Sequence, residues 1–109
     1  MDESLYTSIL APFIIGLLQE KRVLGYLYRT EGLILLRFDR YCANRGLDTI
    51  HVSRAFLDDW CGQTDTEGIS NHNKRVSAVR QLMLYMISLG INVYLPKWLT
   101  ARETVLPHI

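Results

Sequence analysis

The sequence predicts an all-α protein, a small bundle built from four helical segments. Proline, glycine and serine residues divide the chain into segments, each as long as one short helix. Within these segments apolar residues recur three and four positions apart, which is the period of an amphipathic helix. No stretch alternates polar and apolar residues long enough to predict a sheet. At 109 residues, 49% of them hydrophobic, the chain has the length of one domain that can bury a core without metal or disulfide.

The first two segments are bounded by one proline and two glycines. Pro12 suits the first turn of a helix, where its missing N–H removes no hydrogen bond, so a helix is predicted over 12–22, with Gly25 after it. A second helix is predicted over 30–45. It ends at Gly46, because glycine readily adopts the left-handed conformation that closes a helix.

The third segment is short and is followed by a polar loop. Ser53 is a candidate N-cap for a helix over 53–61, since a serine hydroxyl accepts a hydrogen bond from the free N–H groups of a first turn. Residues 62–68 are polar, run from one glycine to another and predict a loop.

The fourth segment has the clearest helical period. Ser70 or Asn71 is expected to cap it, and Gly90 is expected to end it. Residues 91–96 then have an extended pattern that stops at a proline. The helix is expected to bury a stripe of apolar residues at three- and four-residue spacing: Val76, Val79, Met83, Met86 and Ile87.

Nothing in the sequence predicts a membrane span, a secretory signal or a disulfide. The longest apolar stretch, 9–18, is shorter than the roughly 18 residues that a span needs, and acidic residues occupy the N terminus, where a signal would be basic. The chain is therefore expected to be cytoplasmic. Cys42 and Cys61 are expected to be buried, reduced side chains, and the three histidines are too scattered to suggest a zinc site with them.

No catalytic motif is found. The sequence has no glycine-rich phosphate loop, no His-Glu-x-x-His and no nucleophile elbow. Asp58 and Asp59 are neighbours in sequence, so on a helix their carboxylates point about 100° apart and cannot share a proton. We expect a non-catalytic chain without cofactor, metal or small-molecule substrate.

The net charge of +1 conceals an uneven distribution. Residues 1–67 hold seven Lys and Arg against ten Asp and Glu, a balance of −3. Residues 68–109 hold five Lys and Arg against one Glu, a balance of +4. A net charge near zero therefore does not exclude a nucleic-acid partner.

Two helix faces are candidates for that partner. On the second helix one stripe carries Arg37, Arg40 and Asn44, together with Arg29 and Leu33, opposite an apolar face. On the fourth helix the face opposite the apolar stripe carries Lys74, Ser77, Ala78, Gln81 and Tyr85. Arginine and lysine can meet phosphates, and asparagine or glutamine can meet base edges. The alternative is that both are ordinary solvated helix faces.

Arg75 and Arg80 are ambiguous because they flank the apolar stripe of the fourth helix. Either side chain can contact DNA phosphates or pair with a carboxylate of the fold, with Asp39, Asp58 and Asp59 as the candidates.

In order and spacing, the segments resemble the N-terminal core-binding domain of tyrosine recombinases, the phage-integrase family. The resemblance extends over about residues 5–109. Its parts are Lys21-Arg22-Val23-Leu24-Gly25-Tyr26 with Tyr28, Leu36-Arg37-Phe38-Asp39-Arg40-Tyr41, Val52-Ser53 leading to Trp60, Ser70 to Leu82 with Tyr85-Met86 and Gly90, Tyr94-Leu95-Pro96, and Val105-Leu106-Pro107-His108, which resembles the family's linker. Leu82 departs from the pattern, since the family often has an aromatic residue after the arginine.

The resemblance implies a compact four- or five-helix, SAM-like bundle over 1–96 that packs on one face of duplex DNA, and a linker over 97–109 toward a catalytic domain. By position, it implies contacts from Arg37, Arg40 and Asn44 on one helix and from Asn73, Lys74, Ser77 and Gln81 on another, with Arg75 and Arg80 on phosphates. The family's catalytic tyrosine, arginines and histidine belong to the following domain, so the chain is expected to be a fragment of a bacterial or phage recombinase that assembles as an oligomer on DNA.

A second hypothesis is a helical protein–protein interaction domain without a nucleic-acid role. It would bury an apolar patch around Phe13, Trp98 and Leu99 against a partner helix.

Overall fold

A computed structural model of the chain describes residues 5–62 and 69–96. In these two ranges the backbone forms four helices and no strand, which confirms the all-α prediction. Outside the described ranges lie residues 63–68 of the expected loop over 62–68, and the linker over 97–109 with Trp98 and Leu99. The helices are α1 (Ala11–Val23), α2 (Arg29–Asn44), α3 (Arg54–Cys61) and α4 (Ile69–Ser88).

The helix ends follow the local sequence at most positions. The Ser53 hydroxyl accepts a hydrogen bond from the N–H of Phe56 at 3.2 Å and caps α3, as predicted. Gly46 follows α2 with a φ of +69°, and Gly90 follows α4 with a φ of +88°, so both glycines adopt the left-handed conformation that closes a helix.

The predicted cap of α4 is wrong. The helix begins at Ile69, so Ser70 and Asn71 lie within its first turn and do not precede it. A polar residue locates the start of a helix only to within one or two positions, because the residues just before it can also have a helical backbone.

The core forms around α4, which packs against α1, α2 and α3. Four members of its predicted stripe are buried, whereas Ile87 is 43% exposed, because it lies at the edge of the stripe in the last turn. Ala78, predicted on the polar face, is fully buried. The largest fully buried apolar side chains are Phe38, Leu10, Ile14, Leu17, Leu35, Leu57, Leu82, Met83, Met86, Val76 and Val79.

Gly16 and Tyr85 bring α1 close to α4. A Cβ atom at Gly16 would overlap the hydroxyl of Tyr85, so a larger residue at this crossing requires the tyrosine side chain to shift. Tyr85, predicted on the open polar face of α4, is therefore half-buried against α1.

A buried carboxylate fastens the N-terminal segment to α2. Asp39 is fully buried, and its side chain accepts hydrogen bonds from the Thr7 N–H at 2.9 Å, the Ser8 N–H at 3.0 Å and the Ser8 hydroxyl at 2.6 Å. The hydroxyl of Tyr6 donates to the carbonyl oxygen of Gly32 at 2.9 Å. These bonds fix the entry into α1 relative to α2.

An aromatic cluster docks α3 on α2. The ring of Phe38 meets Trp60 edge-on at 5.1 Å and Phe56 at 6.5 Å, and Tyr41 lies 5.2 Å from Phe56.

Cys42 and Cys61 are buried and reduced, as predicted. Burial raises the pKa of the Cys42 thiol to about 12 and that of the Cys61 thiol to about 11, because a thiolate would lose its hydration there. Both thiols therefore stay protonated at neutral pH.

The burial of α4 predicts different outcomes for two alanine substitutions. Val79→Ala is expected to lower the free energy of unfolding by about 1–3 kcal/mol, through lost burial and a residual cavity. Lys74→Ala, at an exposed position of the same helix, is expected to leave it unchanged. Urea denaturation followed by circular dichroism measures both, and equal effects at the two positions would contradict the assignment of the helix faces.

Candidate nucleic-acid interface

The stripe predicted on α2 is exposed along its whole length. Arg29, Leu33, Arg37, Arg40 and Asn44 are all exposed, and we call these five residues the α2 stripe. The residues predicted on the opposite face are buried: Ile34, Leu35, Phe38 and Cys42. The core therefore anchors one side of α2 and leaves the basic side open.

The arginines of the α2 stripe form no ion pair within residues 5–62 and 69–96. At about 1.5 Å per residue, Arg29 and Arg40 are about 16 Å apart along the helix axis, which matches roughly five base-pair steps of 3.4 Å. Arg37 and Arg40 are three residues apart and face the same way, so their like charges repel each other until an anion lies between them.

A groove lies between the N-terminal half of α2 and α4. Its volume is about 200 Å³, and its lining residues are Thr30, Glu31, Ile34, Lys74 and Ser77. None of the five residues of the α2 stripe lines this groove, and Ile34 belongs to the opposite, apolar face of α2. Lys74 and Ser77 therefore lie across the groove from Thr30 and Glu31, and Glu31 adds one negative charge there.

The other candidates on α4 are less accessible than Lys74. Ser77 and Gln81 are half-buried, and the side-chain oxygen of Asn73 is buried without a hydrogen-bond partner in the described chain. Leu84, which the sequence reasoning did not include, is 41% exposed on this side of the helix. Among these candidates on α4, Lys74 is therefore the one that is fully open to solvent.

Arg75 links α4 to the end of α3. Its guanidinium donates to the carbonyl oxygens of Trp60 and Gly62, the latter at 2.8 Å, and lies 4.8 Å from the ring centroid of Trp60. Of the two roles left open by the sequence, the structural role is observed, with backbone carbonyls as acceptors. Phosphate contact by Arg75 stays a prediction.

Arg80 also bonds within the fold. Its guanidinium donates to the carbonyl oxygen of Pro96 at 2.6 Å and holds the end of segment 91–96 near α4. The proposed carboxylate partners have other donors, since Asp58 pairs with Arg54 at 3.3 Å and Asp59 with Arg45 at 3.1 Å.

His72 is a structural residue that sequence reasoning missed. It is 3% exposed, and its Nε2 is hydrogen-bonded to the carbonyl oxygen of Cys61, so it supports the same helix end as Arg75. The i, i+3 spacing of His72 and Arg75 on α4 is the one signal that places both on a common face.

In the described ranges, no cluster of three or more His, Cys, Asp or Glu side chains is arranged to hold a metal ion. None of the described helices is long and apolar enough to cross a bilayer.

No protein-family model, curated protein or solved structure matches this chain. The resemblance to the recombinase core-binding domain therefore stays a prediction from sequence motifs.

The contacts of Arg75 predict a loss of stability when it is removed. Arg75→Ala loses the hydrogen bonds to two carbonyl oxygens and the contact with the indole of Trp60, and is expected to lower the free energy of unfolding by about 1–3 kcal/mol. Arg37→Ala removes the same side chain from an exposed position and is the matched control, with no expected change. Urea denaturation of both variants measures the difference, and an Arg75→Ala variant as stable as the parent would contradict this role.

Proposed function

We propose that this chain binds double-stranded DNA through the α2 stripe, with Lys74 and Ser77 of α4 as additional contacts. The observation that carries the proposal is the row of three exposed arginines, Arg29, Arg37 and Arg40, which have no carboxylate partner in the described chain.

The ion pairs elsewhere on the surface support this choice. Arg45 and Arg54 each have an aspartate partner within 3.3 Å. By contrast, no acidic residue lies three or four positions from Arg37 or Arg40. A face that only contacts water commonly alternates its charges at that spacing, whereas a phosphate-binding face keeps its cations unpaired.

The finer proposal is the role of a core-binding domain in a tyrosine recombinase. It rests on the sequence motifs that resemble that family. In this role the α2 stripe and α4 hold the duplex while a catalytic domain joined through 97–109 exchanges strands, and copies of the protein assemble on the DNA in the bacterial or phage-infected cytoplasm.

A protein-binding role is the second candidate, and one observation favours it. Val23 at the end of α1 is 86% exposed, and Leu24 and Leu27 in the turn that follows are 64% and 75% exposed, an apolar surface of the kind that partners cover. Phe13, named in the sequence hypothesis, is half-buried against the core. Partner binding through this turn would depend little on salt.

The first test is a salt titration of duplex binding. Fluorescence anisotropy of a labelled 20-base-pair duplex (roughly two helical turns) is measured at increasing salt. If Arg29, Arg37, Arg40 and Lys74 neutralise about four phosphates, the logarithm of the association constant falls against the logarithm of salt concentration with a slope of about −3.6. Absence of binding at low salt, or binding that salt does not weaken, would overturn the proposal.

The second test compares two arginine variants that change the net charge equally. Arg37→Ala is expected to weaken duplex binding about three- to tenfold and to reduce the salt slope by about one. Arg54→Ala, away from the α2 stripe, removes the same charge and is expected to leave affinity and slope close to the parent's. Equal losses in both variants would show that bulk charge, and not the α2 stripe, governs binding.

A further inference from the structure

The turn between α1 and α2 forms a second concave surface, beside the α2 stripe. This cleft has a volume of about 340 Å³. That size lies at the lower end of small-molecule sites, enough for one base, sugar and phosphate. We call it the turn cleft, and its lining residues are Leu18, Arg22, Gly25, Tyr26, Leu27, Tyr28, Arg29 and Gly32.

The cationic side of the turn cleft is suited to an anion. Arg22 and Arg29 are exposed, and neither makes a hydrogen bond or ion pair within the described chain. The ammonium of Lys21 lies 5.6 Å from the ring centroid of Tyr26 and 5.8 Å from that of Tyr28, which keeps a third cation nearby. The carboxylate of Glu31 acts on Tyr28 but does not line the cleft. Cations therefore outnumber acids around the opening.

Two features of Tyr28 characterise this part of the turn cleft. Its φ of +52° is left-handed, a conformation that costs free energy for a tyrosine. Its hydroxyl is buried and has no hydrogen-bond partner in the described chain. Burial and Glu31 raise the pKa of Tyr28 to about 12, so the hydroxyl keeps its proton and can donate it to an acceptor.

The other walls of the turn cleft are apolar or aromatic. Tyr26 is 60% exposed, which leaves ring surface on which a base can stack, and Leu18 and Leu27 complete an apolar wall. In addition, the first turn of α2 has no side-chain cap, so its free N–H groups remain available to an anion.

We infer that the turn cleft binds one nucleotide unit, with its phosphate between Arg22 and Arg29 and its base against Tyr26 and the leucines. Such a unit has two sources, a free mononucleotide or an unpaired nucleotide of a DNA strand. The strand source rests on the proposed DNA binding, because Arg29 belongs both to the turn cleft and to the α2 stripe. The free-nucleotide source does not depend on it.

The experiment is an NMR titration of the ¹⁵N-labelled full chain with thymidine monophosphate, thymidine and inorganic phosphate in turn. Thymidine monophosphate is expected to shift the amide signals of Gly25 and Gly32 saturably at millimolar concentration. Thymidine and phosphate are each expected to bind about tenfold more weakly, because each supplies half of the contacts. No shift at these amides, or phosphate binding as well as the nucleotide, would overturn the inference.

Two variants separate this site from the α2 stripe. Arg22→Ala, at an exposed position, is expected to weaken binding of thymidine monophosphate about tenfold, since it removes a charge-assisted hydrogen bond. Arg37→Ala lies outside the turn cleft and is expected to leave nucleotide binding unchanged. Equal effects of the two substitutions would contradict the assignment of the phosphate to this cleft.

Titration with a blunt duplex and with a duplex that carries an unpaired thymidine extension shows whether the bound nucleotide is free or part of a DNA strand. If only the extended duplex shifts Gly25 and Gly32, and Arg22→Ala abolishes that shift, the strand source is supported. If thymidine monophosphate binds while neither duplex reaches these amides, the free nucleotide is supported. Failure of the blunt duplex to bind anywhere would overturn the proposed function alone, whereas loss of the nucleotide signal alone would overturn this inference.

Discussion

The orientation of α2 depends on one buried carboxylate. Asp39 has no exposed surface, and burying its charge is costly unless donors surround it. Two backbone N–H groups and one hydroxyl from Thr7 and Ser8 provide them. Because Ser8 lies three residues before the first residue of α1, the same bonds fix how the chain enters α1. The face of α2 that remains open is the one that carries the arginines.

Two groups of arginines in the described chain differ in what their donors meet. Arg75 and Arg80 donate hydrogen bonds to backbone carbonyl oxygens at the ends of other segments. Without these arginines, water would have to supply the donors for those carbonyl oxygens. Arg29, Arg37 and Arg40 meet no acceptor in the described ranges. Charge counting alone treats both classes equally, which is why net charge is a poor guide to the partner of a small domain.

The periodic features of the fold were predictable from sequence, and the features that depend on geometry between elements were not. The stripe of α2 followed from helical spacing, because residues three and four apart share a face whatever surrounds the helix. Ala78 and Ile87 were misplaced because burial at the edge of a stripe depends on how neighbouring helices cross. The acceptors of Arg75 are backbone atoms, which carry no sequence signature. The turn cleft depends on the left-handed backbone of Tyr28, a conformation that residue preferences do not indicate.

The crossing of α1 and α4 links two positions that are distant in sequence. Gly16 lies inside a helix, where glycine costs about 0.5–1 kcal/mol relative to alanine. It is retained at that cost because the hydroxyl of Tyr85 occupies the space of a side chain. During sequence divergence a larger residue at position 16 therefore requires Tyr85 to move aside or to be replaced by a shorter residue. Positions 16 and 85 should accordingly co-vary among descendants of this sequence, which would identify this helix crossing without a structure.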